Sequence, residues 1–101
     1  MVKNHTKIIW EDNAKLQLKK ACAYIKRDSL QNSQKVKKDI LNAVTTLSIY
    51  TEKYPLDKYK NNNDGTYRAF ELHHYPIAYR VLRSEIKIIT IRHTSMEPLE
   101  Y

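Results

Sequence analysis

The sequence predicts an α+β fold of order β-α-α-β-β-β, with a two-helix hairpin packed on one face of an antiparallel sheet. Three observations carry that expectation. Apolar residues recur at helical spacing in two consecutive stretches of the first half. After the chain's single glycine, Gly65, the apolar period changes to two. The gaps between the last three β segments are too short for anything but antiparallel neighbours.

Each element can be justified from its residues. Lys7 to Trp10 (KIIW) is a short apolar run and reads as a first strand. Glu11, Asp12 and Asn13 supply negative charge and a capping side chain for a helix start. Ala14, Leu18, Ala21, Cys22 and Ile25 then mark one face of a helix from Asn13 to about Asp28. Residues Ser29 to Ser33 break the pattern and offer caps. Val36, Ile40, Ala43, Val44 and Leu47 form the stripe of a second helix, ending near Tyr50 to Tyr54 ahead of Pro55. The stretch PLDKYKNNNDG is turn chemistry, with Gly65 suited to a positive φ. Tyr67–Leu72, Ile77–Leu82 and Ile86–Ile91 are strands, joined through His73 to Pro76 and through Arg83 to Glu85. Pro98 stops the last strand. Ile77, Tyr79 and Val81 share the face the helices must cover, so Pro76, Ala78 and Arg80 face the open side.

One hundred and one residues form one domain, 1–101, with a modest core. Cys22 stands alone, which excludes an internal disulfide and leaves it as a small core residue. The start MVKNHTKIIW lacks the apolar stretch of a secretory signal, and no run approaches the ~20 apolar residues of a membrane span. A cytoplasmic protein without a membrane partner is expected. No metal site and no small-molecule cofactor are expected either: there is no carboxylate pair, no Gly-rich phosphate loop and no Ser/His/Asp set, and the adjacent His73 and His74 diverge on a strand.

The net charge of +7 favours a polyanionic partner, nucleic acid or an acidic protein. Four of the five arginines, Arg68, Arg80, Arg83 and Arg92, lie in the last third, and six of the eight tyrosines lie from Tyr54 onward. Arginine is a planar, permanently charged fork for phosphate, and tyrosine stacks on bases. Arg80, Arg68, Arg83 and Tyr75 are therefore candidate nucleic-acid contacts. Arg92 and His93 end the most β-branched strand, IKIITI, where either side chain can reach over the open face. An imidazole there suits proton transfer near neutral pH; Arg92 suits phosphate, or an ion pair with Glu97 or Glu100.

The element order, the stretch HHYPIAYRVLRSEIKIITIRH and the tail RHTSMEPLEY resemble the RelE/ParE superfamily of toxins from bacterial type II toxin–antitoxin modules. YPIAYRV is similar to that family's aromatic-Arg-Ile/Leu-x-Tyr-Arg-Val strand. The resemblance implies a toxin neutralised by a cognate antitoxin with an acidic, partly disordered segment. It implies one of two targets. RelE-like members enter the ribosome and cut mRNA without a metal, by attack of a 2′-OH on the adjacent phosphate; ParE-like members poison DNA gyrase. Some RelE-like nucleases use a C-terminal His or Tyr, which makes His93, Arg92 and Tyr101 the candidate catalytic residues of an endoribonuclease. Two features depart from that pattern. Pro76 stands where the strand arginine is expected, and Ala69 and Glu71 stand where lysines are often found. The expectation is ribosome-dependent mRNA cleavage, with gyrase poisoning as the alternative and a non-catalytic basic RNA-binding module as a second alternative.

Overall fold

The computed structural model describes residues 6–93 and 100–101. The expected Pro98 stop, and the Glu97 offered as a partner for Arg92, fall outside them. In chain order the elements are β1 (Lys7–Trp10), α1 (Asp12–Lys26), α2 (Leu30–Thr46), β2 (Tyr67–Leu72), β3 (Tyr75–Val81) and β4 (Glu85–Ile91). The sheet order is β1-β4-β3-β2. The meander β2-β3-β4 is antiparallel as expected, and β1 adds to β4 in parallel, from Lys7 opposite Glu85 to Trp10 opposite Ile88. The sheet is therefore mixed, and β4, the strand richest in β-branched residues, lies inside it.

Both helices begin close to the expected positions. Glu11 occupies the N-cap of α1 but makes no side-chain cap hydrogen bond, so the negative charge of Asp12 in the first turn is what favours this end. For α2 the hydroxyl of Ser29 accepts the Asn32 N–H at 3.0 Å. The Ser33 hydroxyl, buried between the helices, donates to the Cys22 carbonyl at 2.8 Å and ties them together.

The two apolar stripes meet the sheet as their spacing requires. Ala14, Ala21, Val36, Ile40, Val44 and Leu47 pack on Phe70, Ile77, Tyr79, Ile86, Ile88 and Ile91 in one core. Register places Arg68, Phe70 and Leu72 of β2 on that covered face with Tyr75, Ile77 and Tyr79 of β3. Tyr67, Ala69 and Glu71 lie on the other face with Arg80, Ala78 and Pro76.

Two details set the geometry of the site. First, β4 carries a bulge: Ala78 pairs with Thr90 but Tyr79 pairs with Ile88, so Ile89 is an extra residue. One inserted residue exchanges the faces of everything beyond it. Ile86 and Ile88 face the helices before the bulge, and Ile91 does so after it. Second, the turn between β2 and β3 is shorter than expected. It consists of His73 and His74 alone, both left-handed (φ 51° and 67°), and Tyr75 and Pro76 belong to β3. Two positive φ values are what a two-residue hairpin demands, and Asn-Gly normally fills it. Histidine there costs roughly 1–2 kcal/mol per residue. His73 Nε2 lies 2.7 Å from Asp39 Oδ2, which anchors the turn to α2.

The free margin of β4 beyond β1 is closed by Gln17 of α1. Its Oε1 accepts the Ile91 N–H at 2.7 Å and the Thr90 hydroxyl at 2.9 Å. Gln17→Ala strands both donors in a partly buried position and is expected to cost ~1–3 kcal/mol. A urea midpoint that does not move would refute this account of the edge.

Candidate functional site

The structure separates the sequence-selected residues into two groups at opposite ends of the sheet. Arg80 pairs with Tyr67 and Lys87 at one end. Arg92 donates its N–H to the Pro76 carbonyl at 3.1 Å at the other, four residues along β3. That is roughly 13 Å of strand.

At the Arg80 end, cations and rings alternate on the open face. The Arg80 guanidinium carbon lies 4.9 Å from the centre of the Tyr67 ring, and Lys60 Nζ lies 4.8 Å from the same ring and 5.2 Å from that of Tyr101. Tyr67 and Tyr101 meet edge to face at 5.8 Å. Arg80 Nε donates to the Thr66 hydroxyl at 3.1 Å, and its Nη2 is 3.6 Å from Asp64 Oδ2. Asp64 is held below the usual carboxylate range, first by the hydrogen bonds it accepts from Thr66 and then by the Arg80 charge. Arg83 is exposed in the turn leading into β4, at this same end.

Tyr101 is fixed in place rather than loose. Its hydroxyl donates to Asp57 Oδ2 at 2.7 Å, its N–H to the Tyr59 carbonyl at 3.2 Å, and Lys60 Nζ donates to its main-chain oxygen at 3.1 Å. Asp57 itself is buried and accepts the Tyr59 N–H. Burial, with the Asp57 hydrogen bond and charge behind it, pushes the Tyr101 phenol far above its ordinary value of 10.0. Burial also raises Tyr75 and Tyr79. The unfolded chain then loses these protons first, so the folded state binds more of them above pH 10 and stability falls as pH rises. The melting temperature should decline above pH 10, and less steeply in Tyr101→Phe; an equal decline in both proteins would rule out this role for the phenol.

At the other end the bulge decides the outcome. It turns Arg92 toward the open face beside Pro76, and it turns His93 to the helix-covered side, where its ring meets that of Tyr75 edge to face at 5.0 Å. Tyr75 is only 6% exposed, so it is not a stacking platform on the open face. Arg68 also lies on the covered side, donating to the Tyr54 carbonyl at 2.6 Å, which draws the loop before β2 onto the sheet. His93, Arg92 and Tyr101 are therefore not brought to one point: they occupy one covered position, one open position and the far end of the sheet. Arg80 and Arg92 share the open face, and Tyr101 borders it.

Sequence reasoning missed Asp57, Lys60 and Tyr67, which organise the Arg80 end, and Tyr24, Asp28 and Asn32, which line a cavity at the other. Asp57 and Lys60 sit in a stretch with ordinary turn composition, where a buried carboxylate has no local signal. Tyr67 was legible, since strand alternation from Arg80 back across the hairpin puts it on the open face.

Among the described residues no three His, Cys, Asp or Glu side chains are grouped so as to hold a metal ion, and no helix is long and apolar enough to cross a membrane. The two-helix layer on a four-stranded sheet is an α+β architecture of the ParE-like kind, and its reverse face carries Arg80 and Tyr67. The family model described as the ParE toxin of the type II toxin–antitoxin system parDE matches residues 8–98, and the chain belongs to that family. A solved structure of the chromosomal ParDE TA system from P. aeruginosa has a similar fold, with a TM-score of 0.69 and 18% identity over 90% of this chain and 98% of that one. No curated protein sequence matches the chain.

Proposed function

We propose that this toxin poisons DNA gyrase and is kept silent by a cognate antitoxin. The observation that carries this reading is the dispersal of the groups a nuclease needs. Cleavage by a 2′-OH requires a base, an acid and a phosphate-holding cation around one phosphorus atom. Here His93 lies on the helix side, Tyr101 is bound to Asp57, and Pro76 occupies the strand position of the expected arginine. The open face instead offers Arg80, Lys60 and Arg92 with Tyr67, which suits contact with an acidic protein surface or with DNA held by an enzyme. Arg80 and Arg92 are the proposed target contacts, with Arg83 at the Arg80 end.

Ribosome-dependent mRNA cleavage is the second reading, favoured by Arg92 and His93 being adjacent at the strand exit. Inducing the toxin and mapping both DNA breaks and mRNA 5′ ends separates the two. Trapped gyrase–DNA breaks with intact message are expected. Ribosome-phased message ends without DNA breaks would sink the gyrase reading, and growth without harm would return the chain to a plain RNA-binding role.

A further inference from the structure

A cavity of about 330 Å³ opens between the α1–α2 connection, the tip of the β2–β3 hairpin and the end of β4. Tyr24, Asp28, Asn32, Tyr75 and the three histidines His73, His74 and His93 contribute to its wall, and among the described residues no lysine or arginine does. Tyr24 is 61% exposed, while Tyr75 is buried with the His93 ring against it. Among the described residues no cation pairs with the Asp28 carboxylate. The hairpin wall is built at a conformational cost, from two left-handed histidines, one of them pinned to Asp39. Strain of this kind persists where surrounding structure enforces it, and it clusters at functional positions.

We propose that this cavity receives a cationic side chain, an arginine guanidinium, presented by a partner protein. Phenol rings and a carboxylate around one hollow attract a cation through the ring quadrupole and by charge. A guanidinium fits better than an ammonium, because its planar fork pairs with a carboxylate through two hydrogen bonds while its face lies on a ring. The volume is at the lower end of ligand sites, which run from ~300 to 1,000 Å³. That suits one side chain rather than a large cofactor. The site is separate from the open face and does not depend on which target the toxin has. It also reverses the expectation from net charge: at this one place the basic chain selects a basic group.

The test is an amide NMR titration of the full chain with N-acetyl-arginine amide, using N-acetyl-citrulline amide as the neutral shape match. The arginine compound is expected to produce saturating shifts confined to Asp28, Asn32, His74, Tyr75 and their neighbours. Binding should weaken about tenfold or more for citrulline, and similarly for the arginine compound in Asp28→Asn. Tyr24→Leu, at an exposed position, should weaken it as well while leaving the rest of the spectrum unchanged. Equal response to both compounds, no response to either, or unaltered binding in both variants would overturn the proposal. So would adenosine monophosphate producing the saturating shifts at these residues, which would assign the cavity to a nucleotide.

Discussion

Tyr79→Ala is expected to remove ~3–5 kcal/mol of stability, a large part of the 5–15 kcal/mol typical of a whole domain. Tyr79 is fully buried at the centre of β3. Its ring meets Phe70 edge to face at 6.2 Å, and Phe70 in turn stacks on Tyr54 at 4.3 Å. Its hydroxyl donates to the Thr51 carbonyl at 3.2 Å. The residue therefore links three layers: the sheet, the core under α2, and the loop after α2. Truncation opens a cavity in the first two and frees the third. Tyr79→Phe loses only the hydroxyl contact, for about 0.5–1.5 kcal/mol. Urea denaturation of the pair separates packing from hydrogen bonding. A cost for the alanine variant below about 2 kcal/mol, the low end for a large core truncation, would contradict the layering described above.

The second large effect is expected at Asp57, which lies in a loop. Asp57 is 6% exposed, and its two carboxylate oxygens hold the Tyr101 hydroxyl and the Tyr59 N–H. Its own N–H donates to the Tyr67 carbonyl, and Ala69 donates to the Pro55 carbonyl, so this loop lies along the outer edge of β2. Hydrogen bonds to a charged group contribute about 1.5–3 kcal/mol each, and partial exposure of Tyr101 reduces the sum. Asp57→Ala should therefore cost ~2–4 kcal/mol. It should also release Tyr101, visible as a phenol that titrates nearer its ordinary value. Asp57→Asn keeps an acceptor and should fall between the two. A neutral outcome for the alanine variant would mean that the loop, and not the carboxylate, holds the edge.

Most of the architecture was legible because it rests on periodicity. The stripe from Ala14 to Ile25 and that from Val36 to Leu47 face one way only if both segments are helices, and Ile77, Tyr79 and Val81 face one way only in a strand. The partner of β1 was not legible. Four residues, Lys7 to Trp10, carry no mark of which strand they join or in which direction. The site was harder to read, for one physical reason. Uninterrupted alternation from Ile86 and Ile88 carries His93 to the open face; the extra residue at Ile89 reverses it, and nothing in IKIITI announces a bulge. Likewise the His-His turn shows none of the glycine or asparagine that usually reveals a two-residue hairpin, so Tyr75 and Pro76 read as connection.

The pairing of Lys7 with Glu85 has a consequence for biosynthesis. A nascent chain can form the α1–α2 hairpin as soon as both helices clear the ribosome, because their contacts are local. The apolar residues of β1 must wait until β4, from Glu85 onward, has been made. At translation speeds of about 5–20 residues per second, the N-terminal strand stays unpaired for several seconds, and the sheet's reverse face does not exist until then. In that interval a partner already present meets a chain whose helices are formed but whose β1–β4 pairing is not.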